Sequence, residues 1–150
     1  MSVIEAVTVM LETYLEHSDT SNVSAHRSYF QAERAPSITV RNYIQRLDKY
    51  MLCSPECFVL ALIYIDRVST KSQEFAVNSL SIHRALLTGL VVAAKFFEDK
   101  FYTNSYYARV GGISTLELNR LERQFLGSLD FALYVSEEEY TSYFERLMMM

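Results

Sequence analysis

The run from Ser81 to Phe97, SIHRALLTGLVVAAKFF, carries apolar residues on nearly every side of a helical wheel. A helix that is apolar all round has no face to give to water, so it belongs in the middle of a bundle with other helices around it. The run ends at Lys95, and two carboxylates, Glu98 and Asp99, follow it. A lysine at the exposed end of a buried helix is placed to touch something other than its own core. Beyond it an aromatic and polar stretch closes on Gly111-Gly112.

The rest of the chain suits such a bundle. It has four glycines, two prolines and no tryptophan, so long apolar periods run with few breakers, which predicts an all-helical fold. At 150 residues, half of them hydrophobic and 21% charged, it has the composition of one globular domain with a real core. No internal repeat is present, and Met148-Met149-Met150 reads as a truncation or a frayed tail.

Residues 3 to 15 place Val3, Val7, Met10, Leu11 and Tyr14 at helical spacing, one amphipathic helix with a single apolar face. His17 to Ala25 is rich in Ser, Thr, Asn and Asp and reads as a linker. The next helix is expected from Pro36-Ser37, with Ser37 as N-cap, to about Met51. Ser54-Pro55-Glu56 is a strong start signal for a helix through Val68, although the apolar run Phe58 to Ile65 leaves a buried strand open on periodicity alone. Ser72 to Leu80 is a polar connector, and Ser81 to Phe97 is the central helix, where Gly89, Ala93 and Ala94 let neighbouring backbones come close. A short helix over Tyr102 to Val110 stops at Gly111-Gly112. Capping boxes at Ser114 and Ser136 open two more.

Charge and motif content exclude several classes. The net charge is −4, and the fourteen Lys and Arg are scattered, which argues against nucleic acid as a main partner. No apolar segment approaches a membrane span, and Glu5 stands where a secretory signal would be positive, so neither membrane nor signal peptide is expected. Two cysteines, Cys53 and Cys57, are too few for a disulfide framework and point to a reducing compartment. Without a second Cys pair or a His cluster they read as core thiols, not a zinc site. His17, His26 and His83 are far apart, and a Cys57–His83 nucleophile pair has no supporting signature. No phosphate-binding glycine motif occurs, and the eleven tyrosines read as core-edge residues. No catalytic residue, metal or cofactor is expected.

The ordered motifs resemble the cyclin box, in particular the P/U-type (fungal phosphate-regulation-type) cyclins of fungi, plants and protists. Tyr64-Ile65-Asp66-Arg67 looks like the YIDR motif of the second box helix, and Ala93-Ala94-Lys95-Phe96 like the A-x-K-F motif ending the third. Leu121-Glu122 with Phe125-Leu126 looks like the [LM]-E motif of the fifth. Asn104 through Gly112 matches the N-x-x-[YW]-A-[KR]-V-G-G stretch of the P/U class. The match covers roughly Pro36 to Leu133. It implies an all-α fold: a five-helix cyclin-box bundle over 36–135, an N-terminal helix and linker over 1–35, and a C-terminal helix over 136–150.

The resemblance implies the activating subunit of a cyclin-dependent kinase, itself not an enzyme, and a monomer until it meets the kinase catalytic subunit. Lys95 and Glu122 are the implied contacts to the kinase backbone near its αC helix, with Phe96, Glu98 and Leu126 lining the same surface. A nuclear or cytoplasmic, intracellular site follows. Two departures stand out. The M-R-x-x-L start of mitotic cyclins is absent, which puts their substrate-docking patch in doubt and leaves Asp66 to pair elsewhere or be solvated. There is also no room for a second cyclin fold. A cyclin-fold adaptor holding a non-kinase partner is the alternative. Taken alone, Lys95 reads as a lysine stabilised at a helix C-terminus, and Glu122 as an exposed carboxylate paired along its own helix.

Overall fold

The computed structural model describes residues 1–20, 30, 32, 36–71 and 75–149. His26, most of the expected 17–25 linker and the start of the 72–80 connector lie outside them. Among the described residues there are seven helices and no strand. They are α1 (Val3–Thr20), α2 (Val40–Tyr50), α3 (Glu56–Lys71), α4 (Ile82–Phe97), α5 (Asn104–Gly111), α6 (Thr115–Ser128) and α7 (Glu137–Met148). Helices α2 to α6 are the five of the expected box, and the apolar run Phe58 to Ile65 is helix, not strand.

Helix α4 is the axis. Ile82, Ala85, Leu86, Leu87, Leu90 and Val91 are all fully buried, and every residue from Ile82 to Ala94 except Arg84 lies inside. Its neighbour α3 runs antiparallel to it, since Ser54, before α3, meets Glu98, after α4. The two backbones approach where Gly89 faces Ala61: a Cβ built on Gly89 would lie 3.2 Å from the Ala61 Cβ.

Local chemistry decides the helix ends. Thr39, not Ser37, caps α2, accepting the Asn42 N–H at 3.1 Å. Ile38 O instead accepts from His83 Nε2 at 2.8 Å, and Ser37 and Ile38 form a bend ahead of the helix. Before α3, the Ser54 side chain contacts Cys57 Sγ (3.8 Å) and the helix begins one residue after Pro55. Ser114 and Ser136 cap α6 and α7 as expected, accepting the N–H of Glu117 and Glu139. Those two glutamates do not reach back to close a box; their carboxylates go to Arg84 and Arg67, each at 2.7 Å.

Most positions of the Y-A-R-V-G-G end of α5 have a physical reason. Tyr107 and Ala108 are buried. The carbonyls of Gly111 and Val110 accept from Tyr43 Oη (2.8 Å) and Arg46 Nε (2.7 Å), which satisfies the helix end from α2. Gly112 sits at φ +76, where a side chain is strained. Gly111 touches α4: a Cβ there would lie 2.2 Å from Leu87 Cδ2. Gly111→Ala is therefore expected to cost about 1–3 kcal/mol through overpacking. The check is a lower urea midpoint at unchanged slope; an unmoved midpoint would mean that Leu87 swings aside freely.

Helix α1 packs into the same core through Ala6, Val7, Leu11 and Leu15, with Val3, Ile4 and Met10 at the margin. Tyr14, expected on that face, is exposed. Arg41 of α2 bridges Glu5 and Glu12 of α1 at 3.1 and 2.8 Å. The helix runs to Thr20, past the expected linker start, and Ser18 Oγ reaches Val77 O at 3.3 Å.

His83 belongs to this scaffold. Its Nε2 faces the Ile38 carbonyl, its ring lies edge-on to Tyr43 at 4.8 Å, and burial, with Arg84 adjacent, holds its pKa below the ordinary histidine value. The unfolded chain thus binds this proton first as pH falls, so stability should decline from about pH 6.5 downward. His83→Gln is expected to flatten that limb in urea titrations between about pH 7 and 5; an equal slope in both proteins would refute the assignment.

Candidate functional site

The ends of α4, α5 and α6 converge at one edge of the bundle. Lys95 lies in the last turn of α4, where the free carbonyls favour a cation. Its Nζ donates to both carboxylate oxygens of Glu122 on α6, at 3.1 Å to Oε1 and 3.0 Å to Oε2. Their side chains are 29% and 14% exposed, so Glu122 lies beneath the lysine, paired across helices and not along its own. Asn104, the first residue of α5, donates its Nδ2 to Glu122 Oε1 at 2.8 Å. Lys95 retains a further N–H, and Glu122 retains lone pairs on Oε2.

Apolar side chains flank this pair. Phe96 and Phe97 are 55% and 53% exposed, an unusual outlay for two adjacent phenylalanines. Leu126, one turn beyond Glu122 on α6, is half-buried against the core. Beside Phe96 a cleft of about 420 Å³ opens, floored by Leu60 and Tyr64 and walled by Leu133, Val135 and Tyr140. Its far wall is the segment between α6 and α7, where Asp130 and Phe131 take left-handed φ of 52° and 58°. That segment is pinned from α3: Tyr64 Oη donates to Leu133 O (2.7 Å), and Arg67 to Ala132 O and Tyr134 O, both at 3.2 Å. The YIDR tyrosine and arginine are thus structural. Asp66 is exposed and has no ion pair or hydrogen bond among the described residues.

Glu98 sits at the same edge but turns inward. Its Oε1 accepts the Ser54 N–H at 2.7 Å and the Cys57 thiol at 3.4 Å. The Ser54 N–H holds its carboxyl below the usual carboxylate range. It clamps the end of α4 to the start of α3 and so sets where Lys95 and Phe96 stand. Cys57 is buried and Cys53 half-buried. The neighbouring Cys53 thiol, with burial, pushes Cys57 up and keeps it protonated. His83, one residue from the start of α4, is at the opposite end of that helix from Cys57 and Glu98, about 20 Å away at 1.5 Å per residue, so Cys57 and His83 form no nucleophile pair. Among the described residues no three His, Cys, Asp or Glu side chains are grouped to hold a metal, and no helix is long and apolar enough to cross a membrane.

Sequence reasoning brought Lys95, Phe96, Glu98, Glu122 and Leu126 to one surface; the structure gathers them at one edge, but Glu98 is turned inward to Ser54 and Cys57 and does not line the surface with the rest. It did not find Phe97, the cleft wall beyond Leu133, or a role for Asn104. Asn104 was visible only as the first letter of a motif.

Comparison with known sequences identifies the family of this helical chain. The cyclin family model matches residues 5–133, and the chain belongs to the cyclin family. Within it the similarity is to the P/U class. The chain is 41% identical to Cyclin-U4-1 of Arabidopsis thaliana over 97% of its own length and 76% of that protein's. It is 45% identical to Cyclin-P3-1 of Oryza sativa subsp. japonica, over 91% of this chain and 61% of that protein. It therefore spans less than two thirds of the length of some of these relatives. Membership supports a cyclin regulatory role for the chain.

Proposed function

We propose that this domain binds and activates a cyclin-dependent kinase by holding the kinase's αC helix against the edge formed by α4 and α6. The observation that carries the reading is the Lys95–Glu122 pair standing beside two exposed phenylalanines and an apolar cleft. An apolar centre gives a helix somewhere to bury its face. A cation and an anion with unfilled capacity serve a backbone carbonyl and a backbone amide at the helix's approach. Phe96 and Leu126 form the apolar centre, and Glu98 fixes the end of α4 from below.

The kinase needs such a face because its own Lys–Glu pair, which orients the ATP phosphates, is unmade when αC is displaced. A partner that binds only the active placement shifts the population. Moving the balance from 1:99 to 99:1 takes about 5.5 kcal/mol of differential affinity, within reach of a standard interface.

The test is direct. The purified chain should form a one-to-one complex with a cyclin-dependent kinase catalytic subunit from its own cell and raise that kinase's activity on a peptide. Phe96→Glu should abolish both while the circular dichroism spectrum stays helical. Failure of the wild type to bind or activate any such kinase would end this reading and leave the cyclin-fold adaptor in its place.

A further inference from the structure

Asn104 makes contacts that the start of α5 does not need. Thr103 already caps that helix, accepting the Tyr106 N–H at 3.2 Å. Asn104 spends its Nδ2 elsewhere: 2.8 Å to Glu122 Oε1 and 2.7 Å to Asn119 Oδ1. Both amide hydrogens point at acceptors, so the orientation is fixed; reversed, the amide oxygen would face two other oxygens. The price is visible, because Asn104 Oδ1 is buried and meets no donor among the described residues. An unfilled buried acceptor works against folding, and one that persists calls for another reason.

Glu122 supplies that reason. Its Oε1 receives two donors, Lys95 Nζ and Asn104 Nδ2, while Oε2 receives Lys95 alone. The amide therefore fixes which oxygen is filled and which keeps a lone pair for a partner. It also removes rotamer freedom that binding would otherwise have to freeze. Resting on the kinase reading above, we propose that Asn104 is a positioning residue for the kinase contact, holding Glu122 by Oε1 so that Oε2 is presented to a backbone amide of the kinase.

The experiment is a double-mutant cycle, with calorimetric affinity for the cognate kinase catalytic subunit and melting temperature measured together. Asn104→Ala is expected to weaken binding about tenfold, the scale of one hydrogen bond to a charged group, with the melting temperature unchanged or raised. In a Glu122→Ala background the same substitution should cost nothing further, because Asn104 acts through that carboxylate. An equal loss in both backgrounds, or a fall in melting temperature that tracks the fall in affinity, overturns the proposal in favour of a direct or merely structural role. Wild-type affinity in Asn104→Ala, beside weak binding in Glu122→Ala, overturns it and leaves the kinase reading standing. Full affinity in Glu122→Ala removes both the anchor and Asn104's part in it.

Discussion

Leu90→Asp is expected to leave no cooperatively folded domain. Leu90 has no solvent exposure and sits at the middle of α4, the helix enclosed by the rest of the bundle. A carboxylate there would have no cation within the core to meet, since the nearest charges on its own helix, Arg84 and Lys95, are engaged at the rim with Glu117 and Glu122. An uncompensated buried charge costs about 3–5 kcal/mol, and the lost leucine packing adds about 2–5 more. Together they match the whole stability of a domain this size, about 5–15 kcal/mol. Circular dichroism and a thermal melt decide it: a sigmoidal melt near the wild-type midpoint would mean that α4 is not the axis of the fold.

Lys95→Ala combined with Glu122→Ala is expected to abolish tight kinase binding while leaving the fold intact. Removing both partners leaves no orphaned charge, and a part-exposed ion pair contributes only about 0–1 kcal/mol to stability. In a desolvated interface the same groups matter more, and their loss should cost about 2–5 kcal/mol of affinity, at least tenfold. The single variants separate the roles. Lys95→Ala leaves Glu122, 14% exposed, with only the Asn104 amide, and should destabilise the free domain more than the double variant does. Calorimetry with the kinase beside a melting curve reads both; full affinity in the double variant would sink the assignment of these contacts.

How much of this was legible in the sequence differs by element. The serine caps of α6 and α7 and the left-handed stop at Gly112 were readable because each is decided within four residues. The start of α2 was not, because the carbonyl of Ile38 is claimed by a histidine 45 positions away. Helix α1 outran its expected end for the same kind of reason: weak helix formers at its C-terminal end are backed by a contact from Ser18 to Val77. At the edge of the bundle, Lys95 and Glu122 were readable as positions. Their pairing with each other, and the amide that steadies them, depend on how three helix ends meet, which no local pattern encodes. The cleft was invisible because its far wall rests on two left-handed residues, neither a glycine, that the tethers from α3 help hold in place.

Those tethers have a consequence for how such a surface diversifies. Tyr64, Arg67 and Lys71 grip the end of α6 and the segment after it mainly through carbonyls, those of Leu133, Ala132, Tyr134 and Ser128, with one long ion pair from Lys71 to the Asp130 carboxylate at 3.9 Å. A path held largely by its main chain depends little on the exposed side chains along it, although Leu133 and Val135 still pack against the core. Tyr134, 69% exposed, can thus be exchanged without unseating the wall it stands on, whereas Phe131, at φ 58°, is restricted to residues that tolerate that backbone. The exposed chemistry of the cleft rim at Tyr134 can therefore change while the tethers from α3 keep the shape of the wall.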